Sequence, residues 1–127
     1  MNEIITKLKF DDSDLEFFRQ SETWSEEDKK YVRQIYLLMI NGMPVSGCTI
    51  FEFDGCRFIF NTFTVKTDRN KGYAGEVIKK VCHDSKGYLV LARSVNPHVI
   101  NLFQKLGFKT LNRNSSSIEV LGNCELL

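Results

Sequence analysis

The sequence predicts a mixed α/β (α+β) fold: a central sheet that opens as an antiparallel meander, continues as a βαβ unit and carries helices on both faces. Three observations lead there. The dipeptides Asn41-Gly42 and Asp54-Gly55 separate three apolar strand-like runs, and both readily take the positive φ angles of a type I′ hairpin turn. A helical stripe of Tyr73, Val77 and Val81, flanked by Ala74 and Ile78, lies between two further apolar runs; strand, crossover helix and strand make a parallel pair. Asn96-Pro97 then opens one more helix, with Asn as N-cap and Pro at the first helical position.

Taken in order, Glu3 to Phe10 alternates apolar and polar residues, the period of a strand with one buried face. Asp11-Asp12-Ser13-Asp14 supplies N-cap types before Leu15, Phe17 and Phe18, which predicts a helix to about Gln20. Thr23-Trp24-Ser25 breaks it, and Ser25-Glu26-Glu27-Asp28 reads as the capped start of a second short helix. The meander comprises Ile35–Ile40, Val45–Phe53 and Arg57–Val65, with Pro44 at a strand start where its missing N–H is harmless. The crossover helix runs from Tyr73 to Val81 and its following strand from Tyr88 to Ala92. Val99, Leu102, Phe103 and Leu106 form the buried stripe of the next helix, which Gly107 ends. Phe108–Leu111 is a strand, Asn112–Ser117 a polar turn and Ile118–Leu121 the last strand.

At 127 residues the chain is one domain, 1–127, with room for a real core. Its 43% hydrophobic and 26% charged content is that of a soluble globular protein. No apolar run approaches the roughly 20 residues that span a bilayer, and the N-terminus lacks a signal peptide's basic and apolar regions, so no membrane association and a cytoplasmic location are expected. Cys48, Cys56, Cys82 and Cys124 lack zinc spacing and read as reduced, buried thiols, with a Cys48–Cys56 disulfide across the hairpin left open. No metal is expected.

A net charge of +1 argues against nucleic-acid binding. Its distribution is uneven. Residues 1–30 carry nine acidic and five basic side chains, and the rest carries seven acidic and twelve basic. An anionic ligand suits the second part and a cationic partner the first, unless both are solvated faces.

The segment from Val65 to Gly75 carries the chemistry. An apolar strand feeds a small-residue turn that opens a helix, which aims free backbone N–H groups and a helix dipole at one place. Arg69 and Lys71 add cations there. This is a cradle for a phosphate or pyrophosphate.

Two segments together resemble the GCN5-related N-acetyltransferase (GNAT) superfamily. Arg69-Asn70-Lys71-Gly72-Tyr73-Ala74 matches its pyrophosphate loop, Arg/Gln-x-x-Gly-x-Gly/Ala, and Asn96 to Phe108 matches its second motif, Asn-x-x-Ala-x-x-Leu-Tyr-x-Lys-x-Gly-Phe. The resemblance implies transfer of an acetyl group from acetyl-coenzyme A to an amine acceptor. It implies that the pantetheine bonds to backbone groups of Phe63, Thr64 and Val65 and that the pyrophosphate sits on the loop, Arg69, Asn70, Lys71, Gly72, Tyr73, Ala74 and Gly75. It further implies that the Val65 N–H polarises the thioester carbonyl as an oxyanion donor, and that Asn96 contacts the pantetheine arm or the reacting centre. Gly72 is read as leaving room for the phosphate. Phe103 stands at a cofactor-side position where the family often has a tyrosine that protonates the leaving thiolate; a phenyl ring gives up no proton. Tyr73 is a possible substitute acid.

No general base stands out. The strand Arg57–Val65 carries no Asp or Glu, and Glu52 on its neighbour is the nearest carboxylate, with a solvated edge residue as the competing reading. Ser94 and His98 are weaker candidates; Cys82 and His83, adjacent on a helix, do not face each other. Two functions follow: an N-acetyltransferase acting by direct transfer, with a cationic acceptor mildly favoured by the acidic N-terminal part, or a coenzyme A-binding protein that has lost turnover. Monomer and homodimer both stay open.

Overall fold

The computed structural model describes residues 2–94, 97–113 and 119–123. Its elements are β1 (Asn2–Lys7), β2 (Val32–Ile40), β3 (Met43–Phe53), β4 (Cys56–Thr64), α1 (Tyr73–Asp84), β5 (Leu89–Ser94), α2 (Pro97–Lys105), β6 (Phe108–Arg113) and β7 (Glu119–Asn123), with short 3₁₀ helices at Ser13–Gln20, Glu26–Tyr31 and Lys66–Asp68. One seven-stranded sheet runs β1-β2-β3-β4-β5-β7-β6. The antiparallel meander and the parallel β4–β5 pair are both present. Asn41 and Gly42 have φ of 51° and 78°, and Asp54 and Gly55 have 49° and 78°, as the I′ turns require. Gly107, at φ 97°, ends the α2 segment as a left-handed glycine.

Alternation along β2 sorts the core into two layers. Tyr36 and Leu38 face one way, into a cluster with Ile50, Ile59, Val77, Ile78, Val81, Val90 and Phe103 under α1 and α2. Ile35 and Leu37 face the other way, against Leu15, Phe17 and Phe18 of the first 3₁₀ helix. Helical elements therefore cover both faces. Gly47 of β3 allows the second layer to close: a Cβ there would stand 2.4 Å from the Tyr36 carbonyl oxygen and 3.1 Å from the Phe18 ring.

Several boundaries differ from those the sequence predicts. The two helices expected before β2 are 3₁₀, with i→i+3 bonds such as Ser21 N–H to Phe18 O at 3.0 Å; each is short, and 3₁₀ turns suit short pieces. β1 stops at Lys7, whose ammonium bonds Asp14 at 2.7 Å, and Leu8 is 72% exposed. Asn112 and Arg113, read as turn, extend β6; residues 114–118 lie outside the described residues. β7 inserts between β5 and β6, so both its edges are paired. Cys48, Cys56 and Cys82 are free thiols, and burial pushes the Cys48 thiol well above its ordinary range; Cys124 lies outside the described residues. Among the described residues no helix is long and apolar enough to cross a membrane.

Candidate active site

The site begins with a register break in β4. Gly47 of β3 pairs with Phe63 and Thr49 with Phe60, so β4 holds one residue more than β3 over this stretch. That is a β-bulge, and Asn61 takes up its geometry at φ 54°. Asparagine tolerates this left-handed conformation better than most residues. Below the bulge β4 pairs with β5 from Cys56↔Leu89 to Ile59↔Ala92. Above it, among the described residues, Arg93 and Ser94 of β5 pair only with β7. From Phe60 to Thr64, β4 therefore presents an open backbone edge on its β5 side.

Alternation decides which amides face that opening. The Val65 N–H donates to the Val45 carbonyl at 2.9 Å, which spends it on β3. Thr64, opposite Ser46, has the other parity and turns its N–H and C=O outward, and Thr62 does the same. Arg69 confirms the sense, because its Nε donates to the outward Thr64 carbonyl at 3.0 Å. The expectation of Val65 as the oxyanion donor is thus corrected: its hydrogen is committed to the sheet. Phe63 likewise faces β3 with its backbone, while its ring packs edge-on against Phe17 at 5.4 Å and lies 5.8 Å from the Arg69 guanidinium.

The cradle follows directly. Asn70 (φ 66°) and Gly72 (φ 80°) are both left-handed, and Gly72 caps α1 without any side-chain bond. The first bond of α1 runs from Glu76 N–H to Gly72 O at 3.1 Å, leaving the N–H groups of Tyr73, Ala74 and Gly75 without a helical partner. Arg69, Asn70 and Lys71 are exposed beside them. A Cβ on Gly72 would meet nothing within 4 Å, so its positive φ explains the glycine here. Gly75 instead packs against α2, a Cβ there coming 3.8 Å from Leu102. Among the described residues Lys71 has only a long 3.4 Å contact with Asp68.

Other expected residues lie elsewhere. Phe103 is 1% exposed and packs edge-on against Phe108 at 4.9 Å; it is a core residue, corrected from a cofactor contact. Glu52 is paired with the buried Arg57 at 2.8 Å, and Arg57 also donates to Gln34 at 2.8 Å. That pair sits at the hairpin end of β4, seven residues from Thr64, or roughly 20 Å along a strand. Glu52 is therefore too far away to act as base. Asn96 lies outside the described residues. Among the described residues no group of His, Cys, Asp and Glu could hold a metal ion.

One feature escapes the sequence reading. Thr49 Oγ1 donates to Asn61 Oδ1 at 2.6 Å, Asn61 Nδ2 donates to Thr23 Oγ1 at 3.1 Å, and Thr23 Oγ1 lies 3.1 Å from Ser21 Oγ. This chain ties the bulge to the loop between the first two 3₁₀ helices. Its only sequence signal is an asparagine inside an apolar strand.

Comparison with known proteins bears on the fold and the family. The model of the acetyltransferase (GNAT) family matches residues 2–108. No curated protein matches the chain significantly. Among solved structures, a GNAT family acetyltransferase from Elizabethkingia anophelis with acetyl-CoA bound has a TM-score of 0.78 at 17% identity, over 95% of this chain and 96% of that one. A Bacillus subtilis acetyltransferase in complex with CoA has a TM-score of 0.78 at 12% identity, over 96% and 97%. The ribosomal-protein-S18-alanine N-acetyltransferase of Escherichia coli has a TM-score of 0.74 at 15% identity, over 96% and 92%. At such identities the structures speak for the fold alone, but the family match spans most of the sequence: the chain belongs to the acetyltransferase (GNAT) family.

Proposed function

We propose that this protein transfers the acetyl group of acetyl-coenzyme A to a primary amine of a small molecule or protein by direct attack. One observation carries the reading: the unpaired N–H groups at the start of α1 follow directly after the open, outward-facing edge of β4. Anionic pyrophosphate suits the first and an amide-bearing pantetheine arm the second. When bound, acetyl-coenzyme A would supply an acyl thioester whose carbonyl carbon an amine attacks: the C–N bond forms, the C–S bond breaks, the thiolate departs and the amine nitrogen gives up one proton to solvent. Tyr73, Ala74 and Gly75 would hold the pyrophosphate, with Arg69 and Lys71 as side-chain cations. Thr64 N–H is the donor aimed into the opening, and a donor placed on a developing oxyanion contributes about 2.7–4 kcal/mol. Phe103 offers no proton, and a thiol pKa of about 8.5 makes solvent protonation of the thiolate sufficient. A cytoplasmic location belongs to the same reading.

A second reading is a coenzyme A-binding protein without turnover. It is favoured by the buried Phe103 and by the lack of any Asp or Glu in β4. Calorimetry with acetyl-coenzyme A, followed by thiol release across a panel of amines, separates the cases. Binding with amine-dependent thiol release supports transfer; binding without release from any amine supports the second reading. No binding at millimolar ligand removes both.

A further inference from the structure

Buried side-chain hydroxyls of β3 grip β4 on either side of its bulge. Ser46 and Thr49 are fully buried and Asn61 is 5% exposed. β3 stays regular against β2 here, with Leu37↔Gly47, Tyr36↔Cys48 and Ile35↔Thr49. The extra residue therefore belongs to β4, between Thr49↔Phe60 and Gly47↔Phe63. At the break, Thr49 Oγ1 donates to Asn61 Oδ1 at 2.6 Å and lies 3.3 Å from the Phe60 carbonyl oxygen. Beyond it, Ser46 Oγ lies 2.8 Å from Thr64 Oγ1. Ser46 and Thr49 are three apart on a regular strand, so they stand on opposite faces of the sheet. β4 is thus held from one face at the break and from the other face above it.

The bulge and its left-handed asparagine both cost free energy. A ladder can shed that cost by slipping one residue, which would turn the Thr64 N–H onto β3 and the Val65 N–H outward. Apolar contacts resist such a slip weakly, because one apolar neighbour replaces another. The two hydroxyls resist it strongly, because a slip takes away their partners while they stay buried.

We propose that Thr49 and Ser46 are positioning residues for acetyl transfer: their hydroxyls lock the bulged register of β4 and so hold the Thr64 N–H toward the opening. This rests on the transferase reading above and assigns the aim of its donor to two side chains of the neighbouring strand.

The test compares two ligands. Acetyl-coenzyme A reaches both the cradle and the β4 edge, whereas 3′-phospho-ADP carries the pyrophosphate but no pantetheine arm. Thr49→Val removes the hydroxyl and keeps the shape. It is expected to weaken acetyl-coenzyme A binding by about three- to tenfold and to lower kcat by about tenfold, part of the loss of a whole oxyanion donor. The dissociation constant of 3′-phospho-ADP is expected to hold, and Thr49→Ser to restore both altered quantities. Ser46→Ala, a smaller change that spares the fold, is expected to move the same two quantities in the same direction. Variants that melt at lower temperature but keep kcat and acetyl-coenzyme A affinity overturn the proposal. So does an equal loss of affinity for both ligands, or a Thr49→Ser variant as impaired as Thr49→Val. Wild-type protein that turns over acetyl-coenzyme A but binds it no more tightly than 3′-phospho-ADP overturns this proposal alone. Wild-type protein that fails to bind acetyl-coenzyme A, or binds it without turnover with any amine, overturns the parent reading and this one with it.

Discussion

The Val65 N–H lies 2.9 Å from the Val45 carbonyl oxygen, and that bond sets the facing of every amide above the bulge. It binds Val65 into the β3–β4 ladder and leaves Thr64 turned outward. Proline removes an N–H without adding much bulk, so the two positions separate cleanly. Thr64→Pro is expected to keep the fold and lower kcat by about 10²–10³. Val65→Pro, whose native φ of −55° already suits proline, is expected to cost about 1 kcal/mol of stability through the lost bond. Thermal melts and amine-dependent thiol release check both; full turnover in Thr64→Pro would remove Thr64 as the oxyanion donor.

Arg69 leans back over the open edge, its Nε on the Thr64 carbonyl, within reach of the cradle. Arg69→Ala is expected to weaken acetyl-coenzyme A binding by about 1–3 kcal/mol, the value of a charge-assisted bond to phosphate. Calorimetry measures it directly. An unchanged affinity would mean that the side chain serves only β4 and Phe63.

Glu52 serves Arg57. Breaking a buried pair leaves an uncompensated charge, but Glu52 is 45% exposed, so solvent offsets part of the loss. Glu52→Ala is expected to lower stability by about 1–2 kcal/mol without altering the pH profile of kcat. Loss of the acid limb in that profile would restore Glu52 as a base.

The Arg19 cluster makes the N-terminal segment acid-sensitive. Lys29 and then Arg19 hold the Asp12 carboxyl below its ordinary 3.8, and Arg19 and then Trp24 hold Glu26 below its ordinary 4.5. A carboxylate held down in the folded state lends stability that is whole above its unfolded value and is lost as pH falls through the folded one. Stability is therefore expected to decline as pH drops below about 4.5, and Arg19→Met to flatten that decline. Urea melts at a series of pH values provide the slope; equal slopes would show that the cluster does not contribute.

Gly47 has no room for a methyl group, with backbone oxygen 2.4 Å from the Cβ position. Gly47→Ala is expected to cost about 1–3 kcal/mol as β2, β3 and Phe18 shift apart. A urea midpoint equal to wild type would show that the strands yield freely.

Local chemistry alone determined a good deal. Asn-Gly and Asp-Gly chose their turn type because both residues reach positive φ cheaply, and period and glycine placement marked the α1 cradle, since a helix N-terminus is a local object. Only the tertiary structure decided what depends on register. Whether Val65 or Thr64 faces the opening turns on a single extra residue at Asn61, and a one-residue shift reverses every amide beyond it. The bond from Arg57 to Gln34 and the insertion of β7 beside β5 both join segments distant in the chain. No pattern within either partner specifies such contacts, because their energy comes from the pairing.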